Sequence, residues 1–334
     1  MRAALVFGEY EVKVIDKPKP EIDDENDVLI KVKACGVCPF DLRIYSGTFK
    51  ASYPIPVGHE VAGVVEEVGS AVKGIKPGDK VAVDAMLRCG VCGPCRRGYD
   101  NLCENKGSLP NGFAEYIKFP APYVHPVRND VRLEELALSE PLACCLNALG
   151  KVGDLRAGDT LHVVGAGPIG LMFAKLGKIM GLRVIISEVI DHRLEIAKRT
   201  SDLALNPLEN DLKEEIRSFT DGYGANVTVL TATNQETLDI ALDTTGKGGY
   251  IVLFAAKYPK GKVSLDPNII HYKEICLVGA EGRRMADFTT AVRLIDEKLI
   301  DLSDVISHVF PLEKMEEAFN TAMKREGLKV VVSC

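Results

Sequence analysis

The stretch "TLHVVGAGPIG", residues 160–170, decides how the second half of this chain folds. An apolar strand runs straight into glycines spaced G-x-G-x-x-G, at Gly165, Gly167 and Gly170. Pro168 and Ile169 open a helical run, "PIGLMFAKLGKIMG", with proline at the first turn, where a missing N–H costs nothing. Downstream, "RVIISE" reads as a strand and "DHRLEIAKRT" as a helix. "NVTVLTA", "NQETLDIALDTTG", "GGYIVLFA" and "EICLVGAEG" (274–282) continue the alternation. Strand and helix in turn predict an α/β unit with a doubly wound parallel sheet.

The glycine pattern alone is weak, and its setting supplies the chemistry. It follows a strand, opens a helix, and precedes an acidic residue, Glu188, at the end of the next strand. That is the context of a dinucleotide site. Gly165 permits the tight turn, Gly167 lets backbone approach a pyrophosphate, and Gly170 lets helix pack on strand. The helix N-terminus offers its N–H groups and dipole to the phosphates. Glu188 can accept from both ribose hydroxyls, and its charge repels a 2′-phosphate, so NAD is expected rather than NADP. Arg193 is the counterweight: it faces a phosphate or, the reading preferred on sequence, lies on the solvated face of its helix. A glycine turn that serves packing alone is the structural alternative.

Upstream the pattern changes. "DVLIKVKA" (27–34) alternates Val28, Ile30, Val32 and Ala34 inward, and "EVAGVVEEVG" and "KVAVDA" follow between glycine and proline turns such as "KPGD" (76–79). Helical periods are few before residue 132, which predicts a mostly antiparallel β domain. Helical periodicity returns at "MADFTTAVRLIDEKL", and an amphipathic tail closes the chain. A chain of 334 residues is expected to form two domains, here residues 1–147 with 283–334, and residues 148–282.

The net charge of −6 argues against nucleic acid or an anionic membrane as partner, since both reward a basic surface. No apolar run approaches the roughly 18 residues of a membrane span. "MRAALVFGEYEVKVID" carries charges where a signal peptide needs an apolar core, so a cytoplasmic protein is expected. In that setting ten cysteines read as metal ligands rather than disulfides.

"CGVCGPCRRGYDNLC" spaces Cys89, Cys92, Cys95 and Cys103 as C-x2-C-x2-C-x7-C, with glycines at 90, 93 and 98 to let the chain wrap. Four thiolates suit a closed, tetrahedral Zn site whose role is structural. An iron–sulfur cluster is the rival, and nothing else in the chain suggests electron transfer. A second set is scattered: Cys38 in "CGVCPFD" (35–41), His59 and Glu60 in "VGHEVAGVVEEVG", and Glu140 in a lone "EP". A His–Glu pair by itself reads as a hydrogen-bonded structural pair. With Cys38 and Glu140 added, thiolate, imidazole and carboxylate can bind Zn and leave a place for water or substrate.

These segments, with "KPGDKV", "GFAEY", "SEPLACCLNAL" and "VVGAGPIG" in that order, resemble the zinc-dependent medium-chain dehydrogenase family on its polyol, sugar and threonine dehydrogenase side. The resemblance covers essentially the whole chain. It implies a β-rich GroES-like catalytic domain and a Rossmann NAD-binding domain. It also implies two Zn2+ per chain and hydride transfer between an alcohol, polyol or sugar hydroxyl and NAD. In the family's C-x-x-C-x-x-D segment the second cysteine is the ligand. That places Cys38 on the metal, Cys35 as a small buried residue and Asp41 as a supporting acid. His59 carries over as a ligand, and Glu60 as a direct ligand in the polyol and threonine branches. Glu140 matches the carboxylate that holds the zinc-bound water or reaches the zinc. The family's last sheet strand meets its twofold mate, implying a homodimer or homotetramer.

Two departures matter. Relatives usually carry serine or threonine where this chain has Phe40, and often histidine where it has Arg43. Phe40 cannot move a proton, so the relay is expected to run through water and Glu140, with Phe40 as an apolar wall. "GAEGRRM" resembles a segment of threonine dehydrogenases, which keeps L-threonine as an alternative substrate beside simple alcohols and carbonyl reduction. A non-catalytic NAD-binding scaffold is the alternative of another class.

Overall fold

The computed structural model describes residues 1–107, 111–325 and 327–334. The chain divides into two compact units, Met1–Ala143 with Arg283–Cys334, and Cys144–Gly282.

The first unit is built on the strand Asp27–Gly36, which pairs antiparallel with Glu60–Val68 and with Tyr116–Pro120. Lys80–Asp84 and Val124–Pro126 extend the sheet on one side, and Lys329–Ser333 and Ile306–Pro311 on the other. Val28, Ile30, Val32 and Ala34 are fully buried, as their alternation requires. The last two strands run parallel, a departure from the antiparallel expectation. The helix Met315–Lys324 supplies the crossover that parallel neighbours need. Its Phe319 packs edge-on to Tyr45 and Phe113, contacts worth about 0.5–1.5 kcal/mol each beyond buried area.

The second unit is a six-stranded parallel sheet in the order Leu203–Leu205, Arg183–Ser187, Thr160–Val164, Ala225–Leu230, Thr245–Leu253, Cys276–Gly279. Strand order reverses between Thr160–Val164 and Ala225–Leu230, and the glycine turn leaves the sheet at the carboxyl end of the first of these. Ligands of doubly wound sheets bind at such a switch point. Among the helices that escaped the sequence reading are Ser139–Leu149, Leu212–Phe219 and Pro267–Lys273. The first is apolar almost all round, so no polar face marks its period. The second begins at Asp211, whose carboxylate accepts from the N–H of Lys213 (3.0 Å) and Glu214 (3.1 Å). Among the described residues no helix is long and apolar enough to cross a membrane.

Candidate active site

Cys38 sits at the N-cap of a short helix, Pro39–Tyr45, where its sulfur accepts from the N–H of Phe40 (3.5 Å). Asp41, fully buried, closes the cap by accepting from the N–H of Cys38 (2.9 Å). Its other oxygen accepts from the N–H of Gly58 (3.0 Å) and lies 3.6 Å from Nδ1 of His59. One carboxylate therefore ties together the two loops that present Cys38 and His59. Gly58 holds φ +93°, the left-handed region, and a Cβ there would meet Phe113 at 2.7 Å. Glu60 begins the neighbouring strand and faces Gly36 across the pairing.

The result is a largely buried set, with His59 and Glu60 buried and Cys38 half-buried. Donor atoms of Cys38, His59 and Glu60 all lie within 4.8 Å of one another. Nδ1 of His59 and Oε2 of Glu60 are buried without a hydrogen-bond partner, a costly state that a coordinated cation relieves. Burial opposes charge on His59, yet the neighbouring Cys38 and Asp41 outweigh it and raise the imidazole pKa well above its ordinary value. The pocket thus favours a cation. Thiolate, imidazole and carboxylate are a donor set that zinc accepts.

Sequence reading missed the two cations behind this set. Lys329 places its ammonium 2.5 Å from Oε1 of Glu60. Arg283, also buried, donates from Nη1 to Oε1 of Glu140 at 2.5 Å and pairs through Nη2 with Asp84 at 2.8 Å. Burial pushes the pKa of Glu60 up against the pull of Lys329, and the nearby charge of Glu140 adds to the rise, but Glu140 stands outside the three-residue group. Phe40 lies beside the His59 ring (6.2 Å between centroids) and edge-on to Phe49 (5.0 Å), and the Arg43 guanidinium covers its face at 5.6 Å. No proton-carrying group occupies position 40. Cys35 is fully buried, packed between Gly58 and Gly112.

The cysteine lobe is a second group, with Cys89, Cys92, Cys95 and Cys103 brought together. All ten cysteines are free thiols. The sulfur of Cys103 lies 3.6 Å from that of Cys89 and 4.0 Å from that of Cys92. A disulfide needs about 2.05 Å, whereas Zn–S bonds of about 2.3 Å put tetrahedral sulfurs about 3.8 Å apart. N–H groups of Val91 and Cys92 draw the Cys89 thiol down to about 6, while desolvation holds Cys95 up at about 12. Four thiolates cannot share this space without a cation.

In the second unit Gly165 and Gly170 take up the turn and the close approach that their spacing implied. Gly165 has φ +105°. A Cβ on Gly170 would stand 1.9 Å from the carbonyl oxygen of Gly165, so only glycine lets the helix close on the strand. Gly167 meets only Nη1 of Arg193, at 3.7 Å, which leaves its backbone open. Arg193 is half-buried, with Nη1 beside Gly167, where the sequence reading preferred the solvated face of the helix. Glu188 accepts from the N–H groups of Ala166 (2.7 Å), Val189 (2.8 Å) and Ile190 (3.0 Å). A carboxylate has about four acceptor positions, so about one remains where the sequence reading had two hydroxyls bound.

Comparison with known proteins gives the family. Residues 24–129 match the alcohol dehydrogenase GroES-like domain, and residues 168–297 match the zinc-binding dehydrogenase family. The chain is 32% identical to D-arabitol-phosphate dehydrogenase of Enterococcus avium, covering 97% of this chain and 94% of that one. It is 36% identical to L-threonine 3-dehydrogenase of Pyrococcus abyssi, covering 99% and 97%. A zinc-binding dehydrogenase from Sinorhizobium meliloti bound to NADP superposes with a TM-score of 0.92 at 28% identity, covering 100% and 99%. The chain belongs to the zinc-binding dehydrogenases. It is an oxidoreductase of alcohol and polyol hydroxyls, with zinc and a nicotinamide dinucleotide as cofactors.

Proposed function

We propose that Cys38, His59 and Glu60 hold the catalytic zinc, that Cys89, Cys92, Cys95 and Cys103 hold a structural one, and that the enzyme oxidises a secondary hydroxyl of a small polyol or sugar alcohol with NAD. The observation that carries this is the buried three-donor set with its two unpartnered atoms. Bound zinc supplies a Lewis acid to the substrate hydroxyl, and bound nicotinamide the hydride acceptor. The chain's own residues do the rest. Asp41 fixes the Cys38 and His59 loops, and Lys329 orients Glu60. Phe40 and Phe49 present an apolar wall that keeps bulk water from the imidazole and favours less hydroxylated substrates. With no hydroxyl at position 40, the proton leaves through water held by Glu140.

The cofactor-binding residues are Gly165, Gly167, Pro168, Ile169 and Gly170 for the pyrophosphate, with Arg193 as its cation and Glu188 on the ribose. The Glu188 charge supports NAD over NADP, although the Sinorhizobium meliloti relative holds NADP. The edge strand Cys276–Gly279, which is largely exposed, supports a homo-oligomer, since its open edge can pair with a second copy. The composition supports a cytoplasmic enzyme. L-threonine is the second reading, favoured by the Pyrococcus abyssi relative. Against it, the Arg283 guanidinium is already engaged by two carboxylates, Asp84 and Glu140. NADH formation over polyols, sugar alcohols and their phosphates, simple alcohols and threonine tests these readings. Turnover of threonine alone favours the second, and no turnover with two zincs bound favours a scaffold.

A further inference from the structure

Resting on the assignment of Cys38, His59 and Glu60 as metal ligands, we propose that Arg283 is a positioning residue that holds Glu140 off the catalytic metal and so keeps a coordination position open. The guanidinium is buried and bridges Glu140 (2.5 Å) and Asp84 (2.8 Å). Asp84, fully buried, pairs through its other oxygen with Arg88 (2.7 Å). Arg88 in turn pairs with Asp100 (2.9 Å) and donates to the carbonyl of Arg283 (3.0 Å). Asp100 also accepts from the N–H of Met285 (3.0 Å). Charges therefore alternate along Asp100, Arg88, Asp84, Arg283 and Glu140. The first two members belong to the cysteine lobe: Arg88 adjoins Cys89, and Asp100 lies between Cys95 and Cys103.

The arrangement has a chemical purpose. A buried carboxylate beside a divalent cation binds it unless another cation holds it. Thiolate, imidazole and two carboxylates would complete a tetrahedron, and closed tetrahedra are structural sites. Arg283 supplies the competing cation. Asp84 and Arg88 stop it from following Glu140 toward the metal, and they anchor it to the lobe's rigid loop.

The test is zinc release from the full-length, zinc-loaded protein to a chromogenic chelator, with the open site giving the fast phase. R283M frees Glu140 to become a fourth ligand and slows that phase about tenfold or more, on the scale of groups that orient metal ligands. The double variant E140Q/R283M returns to the wild-type rate. E140Q alone also releases zinc at the wild-type rate, because Glu140 is not a resident ligand; this arm stands even if R283M fails to fold. Release from R283M as fast as wild type, or from E140Q tenfold faster, overturns the tether while two bound zincs leave the site assignment intact. A wild-type protein with a single zinc, bound by the four cysteines, overturns both.

Discussion

Lys329 sets its ammonium 2.5 Å from Oε1 of Glu60, and both side chains are buried. Removing one member of such a pair costs about 3–5 kcal/mol, because the other is left buried and uncompensated. Zinc bound at Oε2 of the same carboxylate would take over part of that task. K329M is therefore expected to lose most of this stability when the protein is metal-free and clearly less when zinc is bound. Denaturant unfolding of both forms checks it; equal losses would place Glu60 away from the metal.

Asp41 is fully buried and bonds the N–H groups of both Cys38 and Gly58. D41A should weaken zinc at the open site by about 10–100-fold, the usual effect of losing a group that orients metal ligands. Metal competition titrations measure it, and zinc in the cysteine lobe should be unaffected.

Glu140 and Phe40 divide the proton question. E140Q is expected to lower turnover by about 10²-fold or more with zinc retained, the scale of a general base. F40T should stay within about tenfold and shift preference toward more hydroxylated substrates, since the wall beside His59 opens. Steady-state kinetics with metal analysis of each variant decides.

The proposed preference for NAD rests on Glu188. E188S removes the charge that repels a 2′-phosphate and should relax NAD over NADP selectivity by about tenfold or more. It also frees the N–H of Ala166, so the KM for NAD itself should rise. Native protein that binds NADP as tightly as NAD would remove Glu188 from that role.

His162 gives a pH signature for the second unit. It is fully buried between Ser187 (3.0 Å) and Thr244 (3.1 Å), and burial lowers its pKa to about 3. The folded pKa lies below the unfolded value of about 6.5, so the unfolded state binds the proton first. Stability from this group is whole above pH 6.5 and declines by about 1.4 kcal/mol per pH unit below it, down to about 3. Thermal unfolding between pH 7 and 4.5 should show that slope flattened in H162F.

What could be read in the sequence was what the chain writes locally. Gly165, Gly167 and Gly170 fall within six residues, and Cys89 to Cys103 within one loop, so spacing carries their geometry. The polar framework was different. Asp84 meets Arg283, and Glu60 meets Lys329, across gaps that only the folded sheet closes. In sequence these residues look like any charged surface position, because a single chain does not state which opposite charge will be buried with it. Arg193 shows the same limit in a smaller way: the sequence favoured the solvated face of its helix, and the fold sets its Nη1 3.7 Å from where a Cβ on Gly167 would stand.

Gly36 stands opposite Glu60, and a methyl group there would lie 2.0 Å from Oε2 of that carboxylate. The floor of the metal pocket is thus bare backbone, and its depth is set by a missing carbon. Any side chain at this position acts as a wedge that tilts the carboxylate and changes the bite of the whole ligand set. Metal affinity in this enzyme is in that sense a property of main-chain proximity, adjustable from a strand that contributes no ligand of its own.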